Sequence, residues 1–331
     1  MLRLIAGFRA SRVIGVAATL GLADALRAGS MDARALAEVT ATDASSLERL
    51  LRALASLGVL THDAHGRYAL TALGATLDGG TPGSLRAWAE LALGAEHYAA
   101  WGELEDSVRH GEVAFDRLFG MSVWEYRRRH ARKSELFNDA MAALAAAFDP
   151  ELIANGAFAD VRKLVDVGGG HGSLLIALLK RHPTMRGVLV DLPHVVASAR
   201  TRIADEGLAT RCEVVCADAF DSVPGGADGY LLCQVLHDWD DEPAGVLLRN
   251  CRRAIADGGK LFVIERIVPE RFDASPAAQS VAMADLTMLL MTGGRERTVD
   301  EFRSLLEVAQ FRMAAPVRTA SGIALIKAFP A

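Results

Sequence analysis

Seven residues constrain this chain more than any others. Asp166-Val167-Gly168-Gly169-Gly170-His171-Gly172 follow an apolar run of strand length and open a helical stretch. A glycine turn in that position faces the carboxyl end of an open α/β sheet, where such folds bind ligands. A dinucleotide loop would read G-x-G-x-x-G, with its third glycine at position 173, but Ser173 stands there. The loop is instead G-x-G-x-G led by an acid, and that combination suits a ligand with an ammonium and a carboxylate better than one with a pyrophosphate.

The surrounding pattern agrees with an α/β sheet. From Lys163 onward, strand-length apolar runs (164–167, 187–190, 213–216, 230–233 and 261–264) alternate with helical stretches, as in a parallel sheet covered on both faces. Asp191 ends the second run and Asp218 follows the third. S-adenosylmethionine carries an ammonium, a carboxylate, a ribose and an adenine but no phosphate. Asp166 can meet the ammonium and the amides around Gly168, Gly170 and Gly172 the carboxylate. Asp191 can accept both ribose hydroxyls and Asp218 the adenine amino group, with Phe220 placed to stack. Each acid alone could be only a helix cap or a surface charge; three after three successive strands make the stronger argument.

Helix signals fill the first hundred residues. Leu20, Leu22, Ala25 and Leu26 end a first apolar helix, which the chain leaves at Gly29. Asp32 can cap a short helix through Glu38. Ser45-Ser46-Leu47-Glu48 reads as a capping box, and the leucine-rich helix behind it stops at Gly58. Residues 59–61 and 68–70 flank the turn Asp63-Ala64-His65-Gly66 as a hairpin. Helix, turn, helix, hairpin is the order of a winged helix, which raises a ligand-sensing DNA-binding regulator as an alternative. Against it, the candidate recognition helix offers only Arg49 and Arg52, and the formal net charge is −5, so little attracts a duplex. Packing or dimerisation is the expected role.

Residues 84–160 read as all-helical. Phe137, Met141, Leu144 and Phe148 form one apolar stripe, and Asp149-Pro150 interrupts that helix or begins another. The basic run Arg127-Arg128-Arg129-His130-Ala131-Arg132-Lys133 reads as a solvated face. A domain boundary is expected near 156–160.

Four segments stand together in a known order: Leu164-Val165-Asp166-Val167-Gly168-Gly169-Gly170-His171-Gly172, Asp191-Leu192-Pro193-His194, Leu236-His237-Asp238-Trp239-Asp240-Asp241-Glu242 and Gly293-Gly294-Arg295-Glu296-Arg297-Thr298. Over nearly its whole length the chain resembles the small-molecule O-methyltransferases of the caffeate and flavonoid type and their bacterial antibiotic-pathway relatives. The resemblance implies an α/β protein: a Rossmann-like class I methyltransferase sheet with an N-terminal, mostly helical, winged-helix-like dimerisation domain. It divides the chain into a dimerisation domain (1–100), a helical linker lining the substrate pocket (101–158) and a catalytic domain (159–331) that takes S-adenosylmethionine. It also implies an intertwined homodimer and a small aromatic hydroxyl substrate from secondary metabolism. His237 becomes the general base, Glu265 and Glu296 its orienting partners, and Tyr98, Trp101, Phe137, Met141, Met288 and Met291 the acceptor lining. Two cofactor positions depart from the family pattern. Cys233 stands where many plant members carry a lysine, and Ala219 where a methionine or phenylalanine often packs on adenine.

The chemistry asks for such a cluster. A phenol near pKa 10 against a histidine near 6.5 leaves about 3.5 units, roughly 5 kcal/mol, so a lone imidazole is a poor base. A carboxylate behind the ring favours the imidazolium, and a sulfonium nearby favours the phenolate. On the residues alone, His237 could be structural, Glu265 a surface ion pair and Glu296 a partner of Arg295 or Arg297. N- or C-methylation, or a non-methylating use of the bound cofactor, also stays open.

Other classes are set aside by pattern. No apolar run approaches the roughly 20 residues of a spanning helix, and the first twelve residues carry Arg3, Arg9 and Arg12. The cytoplasm is the expected compartment, with neither nucleic acid nor membrane as a partner. Cys212, Cys216, Cys233 and Cys251 contain no C-x-x-C pair, so buried thiols are expected rather than disulfides or zinc. No metal is expected, since no ligand-spaced cluster appears and the reaction needs no Lewis acid.

Overall fold

The computed structural model describes residues 1–154, 156–319 and 322–331, the side chains of 147–150 excepted. Two compact units result: Met1–Tyr98 with Leu136–Leu144, and Ala99–Glu135 with Ala145–Ala331.

In the first unit, the apolar helix is two helices. Gly7–Thr19 ends before Gly21, which takes φ 65°, and Leu22–Leu26 follows. Only glycine enters that left-handed turn without cost, so the chain breaks there, ahead of Gly29. Asp32 caps Ala33–Thr40 by accepting from the Ala35 amide at 2.8 Å. The expected box at 45–48 does not form. Asp43 caps Ala44–Ser56 instead, accepting from the Ser46 amide at 2.8 Å, because an ionised carboxylate both takes the amide and complements the helix dipole. The hairpin gains a third strand: β1 (Met31–Asp32), β2 (Leu60–His62) and β3 (Arg67–Leu70) pair antiparallel in the order β1-β3-β2. Two residues are too few to show a period. Leu36, Leu47, Leu51, Leu54 and Tyr68 fill the core beneath it.

One ion pair ties this unit's ends together. The Arg27 Nε donates to both Asp78 oxygens at 2.8 and 2.9 Å, and the Gly80 amide adds a third bond at 3.0 Å. Arg27 first, and Gly80 after it, hold the Asp78 carboxyl down to about 2 from 3.8. A depressed carboxyl contributes stability that is complete above its unfolded value and fades as pH falls toward its folded one. Asp78→Asn should therefore lower stability at neutral pH and remove part of the loss between those values. An acid titration followed by circular dichroism checks this, and an unchanged profile would show that the bond carries no weight.

The second unit is a mixed sheet. β4 (Lys163–Val167), β5 (Arg186–Asp191), β6 (Cys212–Cys216), β7 (Ala227–Cys233) and β8 (Ile255–Arg266) are parallel, and β9 (Phe311–Met313), β10 (Val317–Arg318) and β11 (Ile323–Pro330) add antiparallel pairs. The order is β10-β11-β8-β7-β4-β5-β6, with β9 also on β11. The C-terminal strands escape a reading by pattern for physical reasons. β11 is an interior strand with Ile323, Ala324, Leu325 and Ile326 all buried, so it shows no alternation, and β9 and β10 are very short.

Alternate strand residues feed two cores. Val165, Val188, Tyr230 and Leu232 pack with Leu247, Leu248, Phe302 and Leu306 on one face. Leu164, Leu189, Leu231 and Phe262 pack with Leu175, Leu178 and Ile203 on the other. Helices therefore cover both faces, as the alternation of strand and helix requires.

Three smaller expectations change. Arg127 is no part of a solvated face: it is 7% exposed and its guanidinium lies 4.9 Å over the Trp124 ring, because Val123 and Arg127 share the buried side of the helix Val123–Arg129. Burial lowers the Arg127 pKa to about 10, with Asp238 opposing the shift. Cys212 and Cys251 are buried, but Cys216 is exposed at the end of edge strand β6 and Cys233 is half-buried; none of the four forms a disulfide. The helix Ala131–Ala154 is continuous through 149–150, while the side chains of Phe148, Asp149 and Pro150 lie outside the described residues. Among the described residues no helix is long and apolar enough to cross a membrane.

Candidate active site

The chain winds from β4 outward to β6, then returns to β7 and β8 on the other side of β4. The crevice between β4 and β7 is therefore the switch point, the usual ligand site of such a sheet. Gly168, Gly170 and Gly172 take φ of 72°, 56° and 76°, which side chains resist. A Cβ on Gly169 would stand 2.6 Å from an Asp166 oxygen, and one on Gly172 2.8 Å from Leu189. The loop is thus a cradle of bare backbone with the buried Asp166 against it.

Asp191, at the end of β5, accepts from the Gly170 amide at 2.8 Å and the Leu192 amide at 2.7 Å. Those bonds fix the loop, and each oxygen keeps a lone pair for a hydroxyl. Burial raises the Asp191 carboxyl while the two amides oppose it. Asp218, past β6, is exposed and accepts from the Phe220 amide at 2.9 Å. Asn250 holds this loop and escapes the sequence reading. Its Nδ2 donates to the carbonyls of Ala219 and Phe220 at 2.7 and 2.8 Å. Phe220 meets Trp239 edge to face at 4.7 Å, and Trp239 stacks on Trp124 at 5.8 Å. Cys233 ends β7. A Cβ on Gly168 would lie 3.1 Å from Val235, so the cradle abuts the segment that leads to His237. A glycine-rich loop with three acids on the same sheet edge fits an amino acid joined to a nucleoside.

That leading segment is suspended from one carboxylate. Glu265, ending β8 with no exposed surface, accepts from the amides of Val235 at 3.0 Å, Leu236 at 2.8 Å and His237 at 3.4 Å. The 3₁₀ turn Leu236–Asp238 forms on those bonds and carries His237. Arg297, also fully buried, clamps the turn from the other side. It donates to the Leu236 and Trp239 carbonyls at 2.9 and 2.7 Å and to Asp241 at 2.9 Å. Thr298 and Glu301 form a capping box that anchors the following helix.

The imidazole meets two acids. His237 Nδ1 lies 3.0 Å from Glu296 Oε1 and 3.6 Å from Glu265 Oε2, while Nε2 lies 3.9 Å from Asp238. A carboxylate facing Nδ1 places a proton on that nitrogen, leaving Nε2 for an acceptor. Burial pushes the His237 pKa down, but Glu265, Glu296 and Asp238 outweigh it and raise the value to about 10. Burial raises the Glu265 carboxyl, and its histidine and amide partners pull it back. The ordinary alternatives for the acids do not describe this site. Glu265 is far from the surface, Arg295 pairs with Glu301 at 2.8 Å, and Arg297 pairs with Asp241.

Ligand-type atoms of His237, Glu265 and Glu296 fall within 4.8 Å of one another, a convergence that spacing alone does not show because the acids lie 28 and 59 residues from the histidine. Glu265 already takes amides on one oxygen and the Gln234 side chain on the other. The cluster therefore reads as an ion-paired network rather than a coordination shell.

The acceptor candidates fall in both units. Met291 is buried with Ala100, Ala114, Phe115 and Leu290, and Trp101 packs against that cluster; Met288 precedes it by one turn, accepting the Thr292 hydroxyl on its carbonyl at 3.2 Å. In the other unit the Tyr98 hydroxyl donates to the Phe8 carbonyl at 3.3 Å, and Arg12 lies 4.6 Å over its ring. Phe137 and Met141, one turn apart on one helix, are half-buried.

Comparison with known proteins identifies the relatives of this arrangement. Residues 101–312 match the O-methyltransferase domain family and residues 2–78 the O-methyltransferase dimerisation domain. Phenazine O-methyltransferase of Lysobacter antibioticus is 37% identical over 330 residues, covering 100% of this chain and 95% of its own. The 3-amino-4-hydroxybenzoate 4-O-methyltransferase of Streptomyces cremeus is 40% identical, covering 95% of this chain and 85% of its own. An O-methyltransferase from neocarzinostatin biosynthesis, crystallised with S-adenosylmethionine and 2-hydroxy-5-methyl naphthoic acid, superposes with a TM-score of 0.85 at 34% identity, covering 100% of this chain and 99% of that one.

Proposed function

This chain belongs to the O-methyltransferase family and uses S-adenosylmethionine, and we propose that its acceptor is the phenolic hydroxyl of a small aromatic natural product, deprotonated by His237. Support for the acceptor class comes from relatives whose names specify a phenazine, a hydroxybenzoate and a hydroxynaphthoate. Support for the base is a single geometry: the imidazole held 3.0 Å from Glu296 on the sheet edge that also carries the glycine cradle. A winged-helix regulator is not favoured, because the N-terminal segment matches a dimerisation domain.

When bound, the cofactor supplies a methyl group already made electrophilic by its sulfonium. In our reading Asp166 and the amides of Gly168, Gly170 and Gly172 grip its amino-acid end, Asp191 its ribose and Asp218 its adenine, with Ala219, Phe220 and Cys233 alongside. His237 Nε2 faces the acceptor hydroxyl and Glu296 accepts a hydrogen bond from Nδ1–H. Glu265 fixes the turn that carries the ring. Trp101, Met288 and Met291 are proposed as acceptor-lining residues, and 101–158 as a helical linker. We further assign residues 1–100 to a homodimer interface, and four cysteines outside any disulfide suit the cytoplasm.

Methyl-labelled S-adenosylmethionine incubated with a panel of phenols, hydroxynaphthoates and hydroxyphenazines tests the acceptor class. Mass spectrometry should place the label on one aromatic oxygen. Label on nitrogen or carbon, or none on any aromatic hydroxyl, would refute it.

A further inference from the structure

Gln234 occupies a backbone conformation that its side chain would not choose. Its φ is 54°, a left-handed value that a non-glycine residue adopts only against steric resistance. Its side chain lies in the site. Gln234 Nε2 donates to Glu265 Oε2 at 3.0 Å, and Gln234 Oε1 accepts from Arg266 Nη1 at 2.7 Å.

The second bond decides the first. A guanidinium has donors only, so Arg266 must face the amide oxygen, and the NH₂ is then forced toward Glu265. With the Val235, Leu236 and His237 amides on Oε1, every group within hydrogen-bond distance of Glu265 is a donor. A protonated carboxyl would bring an O–H into a shell that offers it no acceptor, so these donors favour the anion against the burial that raises the Glu265 carboxyl.

We propose that Gln234 and Arg266 are positioning residues that orient and hold Glu265 as the fixed negative charge behind His237. The two acids then divide the work: Glu296 accepts the hydrogen bond from Nδ1–H and Glu265 supplies charge. The charged groups facing the ring are Glu265 and Arg266 from β8, Glu296 from its loop, and Asp238 on its own turn with Arg127 beyond it. Without the guanidinium, the amide can turn its oxygen toward Glu265, which then becomes easier to protonate.

This inference rests on His237 acting as the base, and the test separates the two. Gln234→Met should lower kcat about ten-fold at neutral pH, the effect of one lost bond to a charged group. The acid limb of its kcat/KM profile should move to lower pH, because a Glu265 that protonates more readily raises His237 less, while cofactor affinity in calorimetry stays unchanged. Arg266→Met should match it, Arg266→Lys should recover most of the loss, and the double Met variant should cost no more than either single. Additive losses, or acid limbs that coincide with the parent's, would overturn the relay. If His237→Ala is inactive while Gln234→Met keeps the parent profile, only the relay falls; if His237→Ala keeps full turnover, the base assignment falls. Should Gln234→Met fail to fold, Arg266→Lys against Arg266→Met still decides the matter.

Discussion

His237→Ala should bind S-adenosylmethionine as the parent does and lose about 10²- to 10⁴-fold in kcat, the usual contribution of a positioned general base. Cofactor binding should survive because the cradle is built from Gly168–Gly172 and Asp191, whose bonds do not involve residue 237. Turnover should not, because the imidazole is tuned to its task. An ordinary histidine stands about 3.5 units below a phenol. With its pKa raised to about 10 by Glu265, Glu296 and Asp238 against the effect of burial, His237 closes that gap. Proton transfer to Nε2 then becomes nearly isoenergetic, and positioning the reactants can lower the barrier by another roughly 7 to 11 kcal/mol.

The same tuning sets a pH dependence with a defined sign. Below its raised pKa the resting ring holds a proton, so the productive enzyme and acceptor together must lose one. The parent's kcat/KM should climb from neutral toward alkaline pH and level off near that value. In His237→Ala the surviving activity should follow the ionisation of the free phenol, also near pKa 10, so the two profiles differ in height rather than in midpoint. Two assays over the same buffers decide this, and equal turnover in both proteins would remove the histidine from the mechanism.

How far the sequence foretold this site depends on which force acts locally. The cradle was legible because positive φ needs glycine, and glycine shows in a sequence. Strands β4 to β8 were legible because buried parallel strands form apolar runs. Asp43 displaced Ser45 as a cap because two good caps stood two residues apart, a choice made by charge and not by motif. Asn250, Arg297 and Gln234 were illegible for another reason. Each is a polar side chain whose partners are backbone carbonyls or acids about 31 to 61 residues away, and such separation leaves no period to read. The basic run around Arg127 misled because helical spacing puts residue 127, but not 128 or 129, on the inner face.

Gly294→Ala is the substitution expected to do most damage outside the ring itself. A Cβ at this position would lie 2.6 Å from the Trp239 amide nitrogen and closer still to the His237 carbonyl oxygen and Asp238 carbonyl carbon. All three neighbours are main chain, held by Arg297 and by the Arg295 amide on the His237 carbonyl at 2.9 Å, so no side chain can swing aside. The loop must instead retreat from the turn, and Glu296 sits only two residues further along it. A shift of about 1 Å there can cost on the order of 10²-fold in turnover, with about 1–3 kcal/mol of stability lost to overpacking. Gly293→Ala supplies the contrast. Its φ of 76° strains any side chain, yet its nearest obstacle is a Val113 methyl at 3.0 Å. It should lose stability while keeping more of its kcat than Gly294→Ala. Thermal melts and steady-state assays on the pair separate strain from displacement: if Gly294→Ala holds kcat within two-fold of the parent, contact between this loop and the His237 turn does not set the geometry of the base.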